Sequence, residues 1–294
     1  MTLTDDQLMA LETAIEEAFA SGDHSHLTVL GYGEVSSVIA WPGVDGRVAC
    51  KRLPVFTDRE RFEAYRRCSS EYLARLAERG VEVVTTEVRA IDKPGGQVAG
   101  YCLQPVLPAE TLGPRVFAAS PARAPTLFAT LLEHIVQCVS PTLGLDGQLS
   151  NWAIDASGRP VYLDVSTPLM RDRAGREALD TDLFLSSLPF ALRPLVKRFM
   201  LQGILATYYR TRSIVIDFLA NLYKEKLDHL VPELLGPANA AIEPAIDADE
   251  VRRYYRDDAR TWALLQRLRR LDRGWQRKVR RRPYPFILPG PIER

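Results

Sequence analysis

The hydrophobic positions near the start of the chain follow a helical period over residues 4–20. Thr4 stands three residues before Gln7, which is the spacing of a capping box at the start of a helix. The apolar positions after it recur at intervals of three and four residues and are Leu8, Leu11, Ile15 and Phe19. This spacing predicts an amphipathic first helix, which together with the following turn forms an N-terminal extension over residues 1–26.

The pattern then changes to short β-rich runs separated by glycines. Three such runs precede a helical pattern at residues 57–79, and two follow it. The runs are 27–30, 35–41, 46–53, 81–91 and 97–104. Short runs of this kind around glycine turns favour an antiparallel meander. Residues 27–104 are therefore predicted to form a small antiparallel sheet with one main helix.

The second half of the chain is predicted to be mostly helical. Residues 105–125 are rich in proline and alanine without a period, which is typical of a linker. Helical spacing resumes at 126–139, and two strand-like pieces follow at 149–154 and 160–164. Nearly all of the remaining chain has helical spacing. We therefore predict an α+β protein in which residues 126–294 form a helical second part.

The chain ends with a long helical pattern and a proline-rich tail. Asp247 and Glu250 have capping-box spacing and open a helix that is predicted to reach about Val279. Its apolar positions, which we expect to form one buried stripe, are Trp262, Leu265, Leu268, Leu271 and Trp275. The tail carries large apolar groups between prolines over residues 283–289, so we expect it to pack on the body of the protein.

Composition excludes several classes of protein. The 294 residues are 46% hydrophobic and 26% charged, which is outside the range of disordered chains. The four cysteines are too widely spaced for a zinc site or a disulfide framework, so we expect reduced thiols. No apolar run is long enough to cross a membrane. These features predict a cytoplasmic protein without a membrane partner.

The net charge of +1 hides an uneven distribution. Residues 252–294 hold 14 of the 38 Lys and Arg but only 4 of the 37 acids, so this end carries a net charge of +10. We expect the basic end to dock on the acidic remainder of the chain. A phosphate-facing patch and a nucleic-acid surface are the alternatives, and we do not expect nucleic acid as the partner.

A glycine turn and a lysine are the first candidates for chemistry. Gly31 and Gly33 lie between two predicted strands, in a turn that ends near Val38, where missing side chains allow backbone N–H groups to approach phosphate. A hairpin that needs glycine explains this turn equally well. Lys51 ends an apolar strand and requires an anion, and Glu71 on the following helix is a candidate partner. Glu71 could instead be a solvated acid.

Three polar residues in the second half have the spacing of a catalytic and metal-binding group. Asp146 and Asn151 stand five residues apart, and Asp164 lies thirteen residues beyond Asn151. Two carboxylates and an amide in this order could supply a base for a hydroxyl group and two oxygen ligands for Mg²⁺. Either aspartate alone would be an ordinary loop acid.

The order of these features resembles the protein-kinase-like superfamily, in particular its small-molecule branch of aminoglycoside and choline phosphotransferase type. The matching positions are Gly31, Gly33 and Val38 of the glycine-rich loop, Lys51, Glu71 as its helix partner, the catalytic Asp146, and the metal-binding Asn151 and Asp164. The resemblance implies a bilobal fold, with the sheet in one lobe and the helices in the other.

The resemblance also implies an activity and its cofactors. ATP and Mg²⁺ would serve transfer of the γ-phosphoryl group to a hydroxyl of a small molecule, such as an aminoglycoside, sugar, inositol, amino alcohol or nucleoside. Adenine would lie between Val38 and Ala49 on one side and Ala153 on the other, with backbone groups from Gln104 to Val106 at the hinge. Lys51 would bind the phosphates, and Asn151 and Asp164 would ligate Mg²⁺. Asp146 would orient the acceptor hydroxyl and accept its proton.

Three departures from the family pattern support an alternative. Ser36 stands where the loop has its third glycine, and leucine and glycine residues precede Asp146 where the family has a histidine. Ser166 also replaces the glycine after the metal-binding aspartate. The alternative is a kinase-like protein that binds nucleotide without turnover and acts as a sensor or scaffold. The sequence makes no prediction of oligomeric state.

Overall fold

The computed structural model describes residues 3–33, 36–42, 46–185, 188–189 and 192–288. Within these ranges the protein is α+β, with a small antiparallel sheet in the first third of the chain and many helices beyond it. In the described residues, no helix is long and apolar enough to cross a membrane.

The main sheet has five strands in the order β1-β2-β3-β5-β4, and all neighbouring strands are antiparallel. The strands are β1 (Thr28–Tyr32), β2 (Ser37–Trp41), β3 (Val48–Arg52), β4 (Glu87–Asp92) and β5 (Val98–Pro105). The two flanking helices are α1 (Asp5–Ser21) and α2 (Arg59–Glu78). The predicted small sheet with one main helix between its third and fourth strands is confirmed.

Helix α1 covers one face of the sheet. Its predicted capping box is present, because Thr4 and Gln7 exchange side-chain and backbone hydrogen bonds of 3.0 and 3.2 Å. The predicted apolar positions of α1 pack on strand residues that share one face by their period of two. The core between them includes Leu8, Leu11, Ile15, Phe19, Ile39, Val48, Cys50 and Leu103.

A buried charge cluster also joins α1 to the sheet. Arg52 on β3 donates from Nε and Nη2 to the two carboxylate oxygens of Glu12, at 2.8 and 2.7 Å. Lys93 donates to Glu12 and to Glu16 at 2.7 and 2.8 Å, and the Tyr101 hydroxyl donates to Glu12. Burial would raise the pKa of Glu12, but Arg52, Lys93 and Tyr101 outweigh it and lower that pKa to about 2.

Helix α2 packs on the opposite face of the sheet. Its buried side chains are Phe62, Tyr65, Ser69, Tyr72 and Leu76. The strand predicted at 81–91 begins only at Glu87, so the prediction is wrong for its first residues. They pair instead with the second half of the chain, where Tyr162 donates to Glu82 O at 2.8 Å and Val84 donates to Tyr162 O at 3.0 Å.

The segment predicted as a linker contains helix α3 (Gly113–Ala119), so the expectation of no regular structure is wrong there. The prolines that suggested a linker stand where a helix tolerates them, since Pro114 is at the start of α3 and Pro125 at the start of α4 (Ala124–Cys138). Phe117 of α3 is fully buried in the core of the helical part.

The remaining elements form the helical part, in which most helices share one hydrophobic core and the short helices at 182–207 pack around a separate small cluster of Leu185, Leu201 and Leu205. They include a two-stranded hairpin, β6 (Trp152–Ile154) and β7 (Pro160–Tyr162), which confirms the two predicted strand pieces. The helices are α5 (Asp182–Leu185), α6 (Arg193–Phe199), α7 (Leu201–Thr207), α8 (Thr211–Lys224), α9 (Val231–Ala241) and α10 (Ala248–Lys278). Helix α10 packs mainly on α8.

The start and length of α10 are confirmed, but its predicted buried stripe is wrong for Leu271 and Trp275, while Trp262, Leu265 and Leu268 are partly buried. Asp247 caps the helix by accepting from Glu250 N at 2.7 Å. Leu271 and Trp275 are 70% and 50% exposed, whereas Gln266 and Arg269 are buried. The opposite face of this basic helix therefore packs on the body.

The proline-rich tail packs on the body as predicted, as far as residue 288. Tyr284 and Leu288 are buried, and the Ser37 hydroxyl on β2 donates to Ile287 O at 3.4 Å. Arg277 of α10 donates to the carbonyl of Ala20 near the end of α1, at 3.1 Å. The basic end thus contacts the sheet part, and Pro289 lies outside the described residues.

The Glu12 cluster predicts a large effect of one substitution. Glu12→Ala should lower the free energy of unfolding at neutral pH by about 3–5 kcal/mol, because it leaves Arg52 buried without its main partner. Glu16→Ala is the matched control, since Glu16 is half-exposed, and should cost under about 1 kcal/mol. Urea titration measures both, and equal losses would contradict the assignment.

The same cluster predicts an acid dependence. The pKa of Glu12 is lowered from 4.5 to about 2. The stabilisation of the folded state by the Glu12 carboxylate is therefore fully present above pH 4.5 and is lost as the pH falls from 4.5 to about 2. The wild-type chain should therefore lose stability between these values more steeply than the Glu12→Ala variant. Parallel acid slopes for the two proteins would show that Glu12 titrates normally.

Candidate active site

The glycine turn is a tight hairpin between β1 and β2. Gly31 pairs with Val38, and Gly33 N–H donates to Ser36 O at 2.8 Å. A Cβ on Gly33 would lie 2.9 Å from that carbonyl oxygen, so the turn requires glycine there. Residues 34 and 35 of the predicted loop lie outside the described residues. The hairpin is the structure that both interpretations of the glycines predicted.

The alternation of β3 directs Lys51 away from the α1 core. Val48 and Cys50 are buried under α1, whereas Ala49 and Lys51 lie on the opposite face and are half-buried. Lys51 pairs with Val38 of β2 in the sheet register, so these side chains share that face. The structure thus places Val38, Ala49 and Lys51 together, as the sequence predicted.

Lys51 forms an ion pair with Asp164, which follows β7 in the helical part. The distance from Lys51 Nζ to Asp164 Oδ1 is 2.8 Å, and the two residues are 113 positions apart in the chain. The Ser166 hydroxyl donates to the same carboxylate oxygen at 2.9 Å. Burial would raise the pKa of Asp164, but Lys51 and Ser166 outweigh it and hold that pKa below its usual range.

Asp146 and Asn151 lie on the loop that leads into β6. Asn151 Nδ2 donates to the backbone carbonyl of Asp146 at 3.2 Å, and Leu163 N donates to Asn151 O at 2.9 Å. The loop and the residue before Asp164 are therefore adjacent. A Cβ on Gly147 would lie 2.4 Å from Ile214 Cγ2 of α8, so this loop packs too closely on α8 for another residue.

A buried tyrosine of α2, Tyr72, is bonded to the loop that carries Asp146. The Tyr72 hydroxyl donates to Gly144 O at 3.1 Å. Burial raises the pKa of Tyr72 well above its usual value, and Cys138, Asp164 and Asp146 add to this effect. Helix α2 is therefore bonded to the loop two residues before Asp146.

The prediction that Glu71 holds Lys51 is wrong in this structure. Glu71 is 55% exposed and accepts a hydrogen bond from Arg75 at 2.7 Å, so it is the solvated helix acid of the alternative interpretation. Helix α2 instead turns Tyr65 toward the site. The Tyr65 hydroxyl donates to Ser166 O at 2.8 Å, which fixes the segment after Asp164.

The predicted adenine-binding groups are only partly available. Gln104 donates from its side chain to Leu163 O at 2.8 Å, which ties β5 to the residue before Asp164. Val106 N–H, expected to face adenine, donates to Arg47 O at 2.9 Å. Ala153 is buried and forms a bridge with Leu112.

The profile of one protein family matches residues 10–273 of the chain, which is most of its length. The chain belongs to DUF6206. This family is described as a family of unknown function. No curated protein matches the chain.

Two solved structures are similar to this member of DUF6206. A structure of WaaP in complex with acyl carrier protein has 18% sequence identity and a TM-score of 0.32, and the match covers 73% of this chain and 85% of that one. The MAP kinase LmaMPK10 from Leishmania major has 10% identity and a TM-score of 0.30, and the match covers 85% of this chain and 99% of that one.

The donor set of the DUF6206 site fits Mg²⁺. Asn151 uses Nδ2 as a donor to Asp146 O, which leaves its amide oxygen as an acceptor, and Asp164 supplies a carboxylate. Mg²⁺ takes few protein oxygens and keeps several waters, so one amide and one carboxylate suffice. Among the described residues, no group of three or more His, Cys, Asp or Glu could hold a metal ion.

Sequence reasoning missed the residues that hold this site in place. The sequence identifies Ser166 only as a replacement for glycine and Tyr65 only as one position within a predicted helix, although both fix Asp164 and its segment. The side chain of Gln104 has a similar role. The α-helical period identifies Tyr65 as buried, but it does not identify the carbonyl that its hydroxyl meets.

The Lys51–Asp164 pair predicts a measurable coupling. A double-mutant cycle with Lys51→Met and Asp164→Asn should give a coupling of about 1–3 kcal/mol at neutral pH, since the groups are in contact and half-buried. The pKa of Asp164 is lowered from 3.8, so the coupling should persist above pH 3.8 and disappear as the pH falls through the folded-state pKa.

The matched control for this cycle is the exposed pair of Glu71 and Arg75. Its cycle with Glu71→Gln and Arg75→Met should give about 0.3–0.5 kcal/mol, as for an exposed pair one helical turn apart. Urea unfolding measures both cycles. A coupling no larger than the control would show that Lys51 and Asp164 are not paired in solution.

Proposed function

We propose that this protein is an ATP- and Mg²⁺-dependent phosphotransferase that moves the γ-phosphoryl group to a hydroxyl of a small molecule. The observation that supports this most directly is the 2.8 Å pair between Lys51 of the sheet and Asp164 of the helical part. The pair brings together a cation that could bind phosphate and a carboxylate that could bind a metal ion. It lies beside the loop of Asp146 and Asn151. All four groups are those that phosphoryl transfer requires.

Each of these residues has a role that its surroundings support. Lys51 would leave Asp164 and bind the phosphates of ATP, below the hairpin of Gly31 and Gly33. Asn151 and Asp164 would hold Mg²⁺, which neutralises charge on the transferred phosphoryl group.

Asp146 would orient the acceptor hydroxyl and accept its proton. The bond from the acceptor oxygen to the γ-phosphorus forms while the bond from that phosphorus to the oxygen of ADP breaks, so no covalent enzyme intermediate is needed. The acceptor would be an alcohol of the aminoglycoside, sugar, inositol, amino alcohol or nucleoside type.

A nucleotide-binding protein without turnover is the second candidate, and one observation favours it. Glu71 is paired with Arg75 rather than with Lys51. Glu71 would have to rearrange for the full arrangement of a kinase-like active site. This candidate predicts ATP binding in the absence of phosphoryl transfer to any acceptor.

Nucleotide binding provides the first test of the proposal. Isothermal titration should show ATP binding that strengthens with Mg²⁺, and Lys51→Met should weaken it at least about tenfold by removing a charge-assisted contact to phosphate. Asp164→Ala should abolish the dependence on Mg²⁺. No nucleotide binding by the wild-type chain would contradict both candidate functions.

Turnover separates the two candidates. A coupled ADP-release assay against pooled aminoglycosides, sugars, inositols, amino alcohols and nucleosides should show acceptor-stimulated release. Asp146→Asn should lower kcat by about 10²–10⁴-fold by removing the base. Asp155→Asn is the matched control, since Asp155 lies at the other end of the β6–β7 hairpin and pairs with Arg159. Equal activity of the two folded variants would contradict the role of Asp146.

A further inference from the structure

Helix α10 presents an apolar stripe to solvent along its second half. Leu264, Leu271, Trp275 and Val279 are 58%, 70%, 50% and 56% exposed. Together with the partly exposed Leu268, they are spaced by four, three, four and four residues, so they lie on one face of the helix. The first half of α10 carries Arg253, Asp257 and Thr261 in the corresponding places.

The other face of α10 is committed to the protein. Gln266 and Arg269 are buried, and Arg277 donates to Ala20 O at 3.1 Å. Near the start of the helix, Glu250 accepts two hydrogen bonds of 2.8 Å from Arg212 of α8. The helix is therefore held on the body at both ends, and the exposed stripe takes no part in that packing.

The stripe lies in the most basic part of the chain. Residues 260–282 contain ten Lys and Arg and a single acid, Asp272. Arg267 and Lys278 are exposed beside the stripe. A partner that covers this face must therefore offer both apolar groups and negative charge.

A second copy of the chain does not meet this requirement. The spacing of the stripe is that of a coiled-coil seam, but pairing two such helices would bring Arg267 and Lys278 of one copy near the same cations of the other. Nucleic acid offers negative charge, but its phosphates give no apolar surface for Leu264, Leu271 and Val279. An anionic lipid surface offers phosphate or carboxylate headgroups above acyl chains.

We propose that the exposed face of α10 binds an anionic lipid surface, with Leu264, Leu271 and Trp275 entering the headgroup boundary and Arg267 and Lys278 contacting anionic headgroups. Leucine and tryptophan between cations are typical of helices that lie in that boundary. The sequence predicted no membrane partner because it contains no spanning segment. Binding at the surface requires no such segment and does not depend on the proposed phosphoryl transfer.

Co-sedimentation of the full chain with vesicles tests the proposal. The chain should bind vesicles of phosphatidylcholine with phosphatidylserine and should bind phosphatidylcholine vesicles at least about tenfold more weakly. Binding should fall as salt is added. Equal binding to both vesicles, or binding to neither, would overturn the proposal. The fluorescence of Trp275 should shift to shorter wavelength on binding, and Trp275→Phe should remove most of that shift.

Two paired variants identify the face. Leu271→Gln with Trp275→Gln should weaken vesicle binding at least about tenfold through lost apolar burial, while thermal unfolding stays close to wild type because both side chains are exposed. Arg267→Glu with Lys278→Glu should have a similar effect on anionic vesicles. The matched control, Arg252→Glu with Arg256→Glu, changes the charge of the same helix equally at exposed positions that lie off the line of the stripe, and should bind nearly normally.

The other occupants give distinct results. Dimerisation in analytical ultracentrifugation that Leu271→Gln with Trp275→Gln abolishes would assign the stripe to a second copy and overturn the proposal. Salt-sensitive binding of a DNA duplex that competes with vesicles and is unaffected by that variant would assign the surface to nucleic acid. Loss of vesicle binding in the Arg252→Glu with Arg256→Glu control would show that binding depends on the overall charge of the helix and not on this face, and would overturn the proposal.

Discussion

Two adjacent cations on β3 point to opposite faces of the sheet, and each requires a carboxylate from a distant part of the chain. Arg52 binds Glu12 of α1, and Lys51 binds Asp164 of the helical part. Because successive side chains of a strand alternate, one short strand attaches the sheet to elements on both of its faces. A charge without its partner at either position would be costly, so both attachments are required together.

These two attachments differ in what they can do. The Arg52–Glu12 pair is almost fully buried and bonded on both carboxylate oxygens, so it acts as a fixed structural link. The Lys51–Asp164 pair has a single hydrogen bond between its two side chains, and both side chains are partly exposed to solvent. A pair of this kind can exchange partners. If Lys51 binds another anion and Asp164 binds another cation, the two new interactions replace the one that is lost. Glu12 of α1 therefore has a structural role, whereas Asp164 of the helical part belongs to the candidate site, although both pair with side chains of β3.

Much of the fold was predicted from the sequence because it follows from local rules. Thr4 and Gln7 form the capping box of α1 that their spacing indicates, and the Asp247 side chain caps α10 by accepting from Glu250 N. The resemblance also assigned Lys51 and Asp164 to one site, where they form an ion pair. The prediction for Glu71 failed because it followed the resemblance, whereas the helical spacing of the buried side chains of α2 turns Glu71 away from the sheet and toward solvent. Tyr65 and Gln104 support the site through backbone carbonyls, which no side-chain pattern records, and Ser166 supports it through the Asp164 carboxylate.

The error on α10 has a different origin. A stripe of leucines and tryptophans predicts burial because its apolar surface is unfavourable in water. The prediction assumes that the rest of the same chain provides this burial. In this helix the buried positions are Val251, Gln266 and Arg269, so its polar side chains reach inward. Arg269 lies over the ring of Trp262, at 5.8 Å, so packing and charge satisfy this face together. The leucine stripe then remains outside because the helix is already held by its other face, and its apolar surface is available to a partner.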